Sequence, residues 1–203
     1  MTDHFGNPLL EQRKLLAGEA FVQRSDQGVI EIVGSDAKSW LHSLLSQNIL
    51  NLESGMSTEA LLLTPQGHVE QQLKIIATDQ GVLVIVAASK LEAMLAWLTK
   101  MIFRSKVDVS KRKDLVCIGG FFDFDEPFWV DGFSLESKFS VRYAESREEF
   151  AYREYLTDSV PTDLAPAGLL AYQALRIAVG RPEIDDIDIR SLPHEFDWLS
   201  SAV

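Results

Sequence analysis

The tightest constraint on this chain is a set of three strand-length apolar segments joined by very short turns. Thr58 to Thr64 and Val69 to Thr78 flank the turn Pro65, Gln66, Gly67, and Asp79, Gln80 and Gly81 then lead into Val82 to Ala88. Parallel neighbours need a crossover of about a dozen residues or more, so these three segments must form an antiparallel meander. A doubly wound parallel sheet is thereby disfavoured.

The flanking segments supply helices and further strands. Asn7 and Pro8 read as the cap and first position of a helix closed by Gly18. Strands are predicted at Ala20 to Arg24 and Val29 to Val33, then a helix capped by Ser35 or Asp36 with Ala37, Trp40, Leu41, Leu44 and Leu45 on one face. Ser89 and Glu92 have capping-box spacing ahead of a helix that buries Leu91, Leu95, Leu98 and Ile102. Short strands follow at Val107 to Val109 and Leu115 to Gly119, then an aromatic and acidic loop from Phe121 to Phe133. Strands are also expected at Phe139 to Ala144 and Phe150 to Leu156. Pro161 to Pro166 reads as a hinge before a helix from Ala167 to Val179, stopped by Gly180 and Pro182 and followed by an acidic tail. The predicted fold class is α+β, with split βαβ (ferredoxin-like) antiparallel units. Residues 1–110 are expected to form a first subdomain, and 111–203 a second with the C-terminal helix and tail.

Composition then limits the functions. A chain of 203 residues buries about 70% of its unfolded surface, enough for one domain or two small ones. Its net charge of −11 repels phosphate backbones and anionic lipid, which argues against a direct nucleic-acid or membrane-surface role. No segment approaches the roughly 18 apolar residues of a spanning helix, and the first residues do not read as a secretory signal. A cytoplasmic location is expected. Cys117 is the only cysteine, which excludes an internal disulfide and a thiolate-built metal site; in an apolar strand it reads as core.

No catalytic constellation stands out. His4, His42, His68 and His194 lack metal-ligand spacing. Glu183, Asp185, Asp186 and Asp188 lack the glycine and closing glutamate of an EF-hand and read as a solvated loop. There is no nucleophile elbow, and Gly119 and Gly120 have no phosphate-loop lysine after them. Lys111, Arg112 and Lys113 read as a solvated turn.

Two longer segments carry more information. The first, VGSDAKSWLHSLLSQ and onward, contains Gly34, Asp36, Ala37, Trp40, Leu41, Leu44, Gln47, Gly55 and Gly67; the second contains Leu175, Arg176, Ile177, Gly180 and Pro182, then Leu192, Pro193, His194 and Glu195. In order and spacing they resemble the folate-binding YgfZ family, relatives of the glycine-cleavage T-protein, an aminomethyltransferase. The resemblance covers nearly the whole chain. It implies a tetrahydrofolate cofactor and a role in iron–sulfur cluster assembly or maintenance, and thereby in tRNA modification, with iron–sulfur proteins as partners.

Departures from the pattern sharpen this expectation. Where the T-protein carries adjacent aspartates, this chain has Gln71 and Gln72, and Ala178 replaces the glutamate of its helix end. An amide cannot serve as a general base, so a non-catalytic protein is expected; if it is an enzyme, it is a tetrahydrofolate-dependent aminomethyltransferase. The resemblance also leads to the candidate folate residues: Gln72 to pair with the pterin, Tyr172 to supply an aromatic slot and Arg176 to hold the glutamate tail. In the alternative, Tyr172 is core and Arg176 pairs with Glu183 or caps its helix. The family's KGCYxGQE segment and C-terminal β-barrel would lie beyond Val203, which implies either truncation or a variant without the family's cysteine. A third reading is a scaffold that offers an acidic face to a protein and holds no folate.

Overall fold

The computed structural model describes residues 2–132, 150–199 and 201–203. The meander is its centre. Strands β3 (Ser57–Leu63), β4 (Val69–Ala77) and β5 (Gly81–Ala87) pair antiparallel, and β2 (Gln27–Val33) and β6 (Asp108–Arg112) complete a sheet of order β3-β4-β5-β2-β6. Alternation along the strands divides its two faces. Leu73, Ile75, Val82 and Val84 pack under α2 (Ala37–His42) and α3 (Leu91–Lys100), with Trp40, Leu41, Met94 and Leu98. Val29, Ile76, Leu83 and Ile85 face the other way, toward the second sheet.

That sheet has the order β10-β1-β7-β9-β8, from β1 (Ala20–Gln23), β7 (Val116–Gly120), β8 (Phe128–Val130), β9 (Arg153–Thr157) and β10 (Ala165–Ala167). Helices α1 (Pro8–Leu16) and α4 (Leu169–Ala178) pack against it and each other. The side chain of Asn7 caps α1 by accepting from the Leu9 amide at 3.0 Å. Glu11 ties the helix down, taking hydrogen bonds from the backbone of Phe5, Gly6 and Gly168. The second sheet draws on both sides of residue 110, because β1 enters it from the N-terminal part of the chain.

The α+β class is found, and several local expectations are corrected. Ser89 does not cap α3: the cap position is Lys90, without a side-chain hydrogen bond, and Glu92 accepts from Lys111 Nζ at 2.5 Å instead. Lys111 and Arg112 lie on β6, and Arg112 pairs with Glu31 and Asp114, so the basic run is mostly neutralised by its own strand neighbours. The expected loop at 121–133 contains β8, and the expected hinge contains β10, paired parallel to β1. The acidic tail ends in a packed segment, with Trp198 and Ala202 buried against Leu61 and Val69. The strand expected at 139–144 lies outside the described residues.

Gly34 sits where β2 turns into α2. Its φ is +129°, and a Cβ there would lie 2.2 Å from the carbonyl oxygen of Lys106. Gly55 has φ +82° with open space around it. Alanine at Gly55 should cost about 1–2 kcal/mol from left-handed strain alone, while alanine at Gly34 should cost more because backbone must also move. Urea unfolding of the two variants checks the order.

Candidate functional site

The two sheets meet through a polar layer as well as through apolar contacts. Period-two alternation that turns Ile76 toward the second sheet turns Lys74 and Gln72 the same way. Lys74 Nζ reaches Glu154 Oε1 of β9 at 2.6 Å, and the same oxygen accepts from Arg24 Nη1 at 2.5 Å. Arg24, buried at the end of β1, also binds Asp26 and Glu183, both at 2.7 Å, and lies 4.1 Å from the ring centroid of Tyr172. The Glu154 carboxylate thus joins one cation from each sheet, and Glu183 of the C-terminal segment, 3.9 Å from Lys74 Nζ, approaches the same two cations.

A second knot adjoins the first. Arg181, also buried, donates to Glu59 of β3 at 2.7 Å and to Asp131 after β8 at 2.9 Å. Trp129 stands between the knots, with Lys74 Nζ 4.9 Å and the Arg181 guanidinium 5.6 Å from its ring centroid. Its Nε1, like that of Trp198, has no hydrogen-bond partner among the described residues.

Electrostatics keep Glu183 and Arg24 in their charged forms. Burial alone would raise the Glu183 carboxyl, but Arg24, Lys74 and Arg176 outweigh it and hold it far below its ordinary 4.5. Burial opposes the charge on Arg24 too, yet Glu183, Tyr172 and Glu154 keep it protonated. The Cys117 thiol is pushed up by burial and then by Glu154, whose Oε2 lies 3.7 Å from Sγ. The cysteine is core, as expected, and is not activated.

The three candidate residues come close together in different ways. Gln72 donates to Glu59 Oε1 and accepts the Ile184 amide at 3.0 Å, so both ends of its side chain are engaged. Arg176 donates to Gln173, to the Arg181 carbonyl and to Asp186, and lies 3.4 Å from Glu183. Gln72 and Arg176 line a shared cavity of about 140 Å³ with Asp26, Lys74, Glu183 and Ile184. Tyr172 is buried beside it, below Arg24, its hydroxyl donating to Glu183 at 2.8 Å. Gln71 faces a different cavity, and Ala178 is exposed at the end of α4.

Several of these groups escaped the sequence reading. The expected solvated loop holds Glu183, which is only 8% exposed and lies 3.4 Å from Arg176 as the alternative reading of Arg176 has it, and Asp186, which also pairs with Arg176. Arg24, Glu59, Lys74, Asp131, Glu154 and Arg181 carried no motif. Their one signal was local: Glu59 and Lys74 interrupt apolar strands, which suggests a buried partner. Among the described residues no group of three His, Cys, Asp or Glu side chains is placed to hold a metal ion.

Comparison with known proteins follows the geometry. No family model matches the chain. It is 31% identical over 121 residues to an aminomethyltransferase of Chromobacterium violaceum, covering 58% of this chain and 33% of that protein. An aminomethyltransferase of Nitrosococcus oceani is 26% identical over 117 residues, covering 57% and 32% respectively. The chain therefore spans about a third of the length of these curated relatives. The crystal structure of the glycine cleavage system aminomethyltransferase T from Bartonella henselae matches with a TM-score of 0.70 at 16% identity, over 92% of this chain and 58% of that one. The chain has an aminomethyltransferase-like fold.

Glu154→Gln leaves Arg24 and Lys74 facing each other without their shared anion, which should cost about 3–5 kcal/mol, read by urea unfolding at neutral pH. Glu183 has a folded-state pKa below its ordinary 4.5, so it stabilises the fold above that pH and the contribution drains away as pH falls. Glu183→Gln should be less stable at neutral pH and should lose less stability on acidification than the parent.

Proposed function

We propose that this chain is the folate-holding portion of a non-catalytic protein of the YgfZ type. The observation that carries the reading is the cavity in which Gln72 and Arg176 meet across the junction of the two sheets. At about 140 Å³ it is smaller than the roughly 300–1,000 Å³ of sites that enclose a drug-sized ligand. It suits a single ring system such as a pterin head, with the remainder of tetrahydrofolate running outward past Arg176. Both terminal nitrogens of Arg176 donate to Asp186, so the tail carboxylate takes the planar guanidinium by exchange with that partner.

The chemistry of the lining supports binding over turnover. A general base works best with a pKa near the operating pH, whereas Glu183 is held strongly acidic by its cations. Asp186 is engaged by Arg176 and Glu154 by Arg24 and Lys74. Gln72 occupies the position of a T-protein carboxylate and is bound at both ends. The role in iron–sulfur cluster assembly or maintenance, its consequence for tRNA modification, iron–sulfur proteins as partners and a cytoplasmic location rest on the family resemblance. No helix among the described residues is long and apolar enough to cross a membrane.

Isothermal titration with tetrahydrofolate should give saturable binding. Arg176→Gln should weaken it by about tenfold, equivalent to about 1.4 kcal/mol, with circular dichroism confirming that the variant is folded. Absence of saturable heat would overturn the folate assignment. Tetrahydrofolate-dependent cleavage in the presence of the glycine-cleavage partner proteins would overturn the non-catalytic one and favour an aminomethyltransferase.

A further inference from the structure

A cavity larger than that of Gln72 and Arg176 lies elsewhere and has no part in the reading above. It measures about 430 Å³, within the roughly 300–1,000 Å³ range typical of small-molecule sites. One wall is a stripe of α3 at helical spacing, Lys90, Ala93, Met94 and Trp97. Ala93 and Trp97 of this stripe lie outside the core-facing set that the sequence predicts for α3, and Met94, which is buried in the core, forms the floor between them. The opposite wall is the end of the β3–β4 hairpin, including Leu62, Glu70 and Gln71, and the segment from Ile184 to Ile189 closes the side. Ile189, 86% exposed, stands at its rim.

The charges in this groove are arranged asymmetrically. Lys74 of β4 pairs with Ile85 of β5 in an antiparallel ladder, so Glu70 and Lys90, which lie beyond those two residues, sit at the same end of it. Neither makes an ion pair among the described residues, and the Gln71 amide beside them makes no side-chain hydrogen bond there. Asp188, on the wall formed by the segment from Ile184 to Ile189, accepts from the Arg190 amide at 2.8 Å and from Ser191 Oγ at 3.2 Å, both at Oδ1. Lys90, Glu70 and the Gln71 amide thus share one end of the groove. Met94 and Trp97 continue along the helix, away from the Lys90 cap.

We propose that this groove binds a free α-amino acid with a large apolar side chain. Lys90 and Gln71 take the carboxylate and Glu70 takes the ammonium. The side chain lies along Met94 and Trp97, against Leu62 and Ile187. A plain carboxylate would leave Glu70 without a counter-charge, and a plain amine would leave Lys90 so. A zwitterion satisfies both, and the apolar walls exclude small or polar amino acids by leaving their contacts unmade. The site shares only Ile184 with the cavity of Gln72 and Arg176, and the proposal stands whether or not that cavity takes folate.

Isothermal titration of the full chain with L-phenylalanine should show saturable one-to-one binding. The analogues 3-phenylpropanoate, which lacks the ammonium, and 2-phenylethylamine, which lacks the carboxylate, should each bind about tenfold or more weakly. Lys90→Gln and Glu70→Gln alter exposed side chains, so both variants should keep the parent's melting temperature while losing binding by a similar factor. Trp97→Ala should lose it too, and Arg176→Gln should leave it unchanged. The proposal is overturned by no saturable binding of L-phenylalanine at millimolar concentration, by equal binding of either analogue, or by displacement of L-phenylalanine by tetrahydrofolate.

Discussion

The carboxylate of Glu154 holds this structure together at its most demanding point. It is fully buried, and one of its oxygens accepts from Arg24 on the same sheet and Lys74 on the other. Removing ions from water costs several kcal/mol each, so such a cluster survives only when every charge is met by another at short range. Satisfying that condition fixes where the sheets lie relative to each other. It also recruits the C-terminal segment, because a further Arg24 nitrogen, Nη2, donates to Glu183 as well as to Asp26.

The same requirement shapes both cavities. Arg176, Arg24 and Gln72 pin the segment around Glu183 and Ile184 over β4 by an ion pair, a salt bridge and an amide hydrogen bond. The small cavity lies on one side of this segment, where Asp26, Lys74, Arg176 and Glu183 of its lining are paired with one another or with neighbours. The larger groove lies on the other side, with apolar walls and charges that remain unspent. One short acidic stretch thus separates a polar, preorganised pocket from an apolar one.

Preorganisation has a chemical consequence. Tightly compensated charges titrate far from neutrality, which suits recognition of a fixed charge pattern and opposes proton transfer. The aminomethyltransferase-like fold, a TM-score of 0.70 to the Bartonella henselae protein, here carries a layer of paired charges between its sheets. Packing of the apolar faces, here of the meander with α2 and α3, does not depend on those polar residues, so one fold can hold different site chemistry.

The sequence by itself determined what local physics controls. Short turns dictated the meander, Asn7 and Pro8 placed α1, and an apolar strand made Cys117 core. A family pattern, with side-chain chemistry to assign the roles, also brought Gln72, Tyr172 and Arg176 forward as candidates for one ligand. The sequence could not reveal β10, a three-residue strand that exists only because β1 offers a free edge, nor the closure of the tail by Trp198. Glu183 looked solvated because acids in a loop usually are, and its partner Arg24 lies 159 residues away. Lys74 announced only that something in an apolar strand needed a counter-charge. Only the tertiary structure decided which carboxylate would supply it, since Coulomb attraction depends on distance in space while the order of residues along the chain records none.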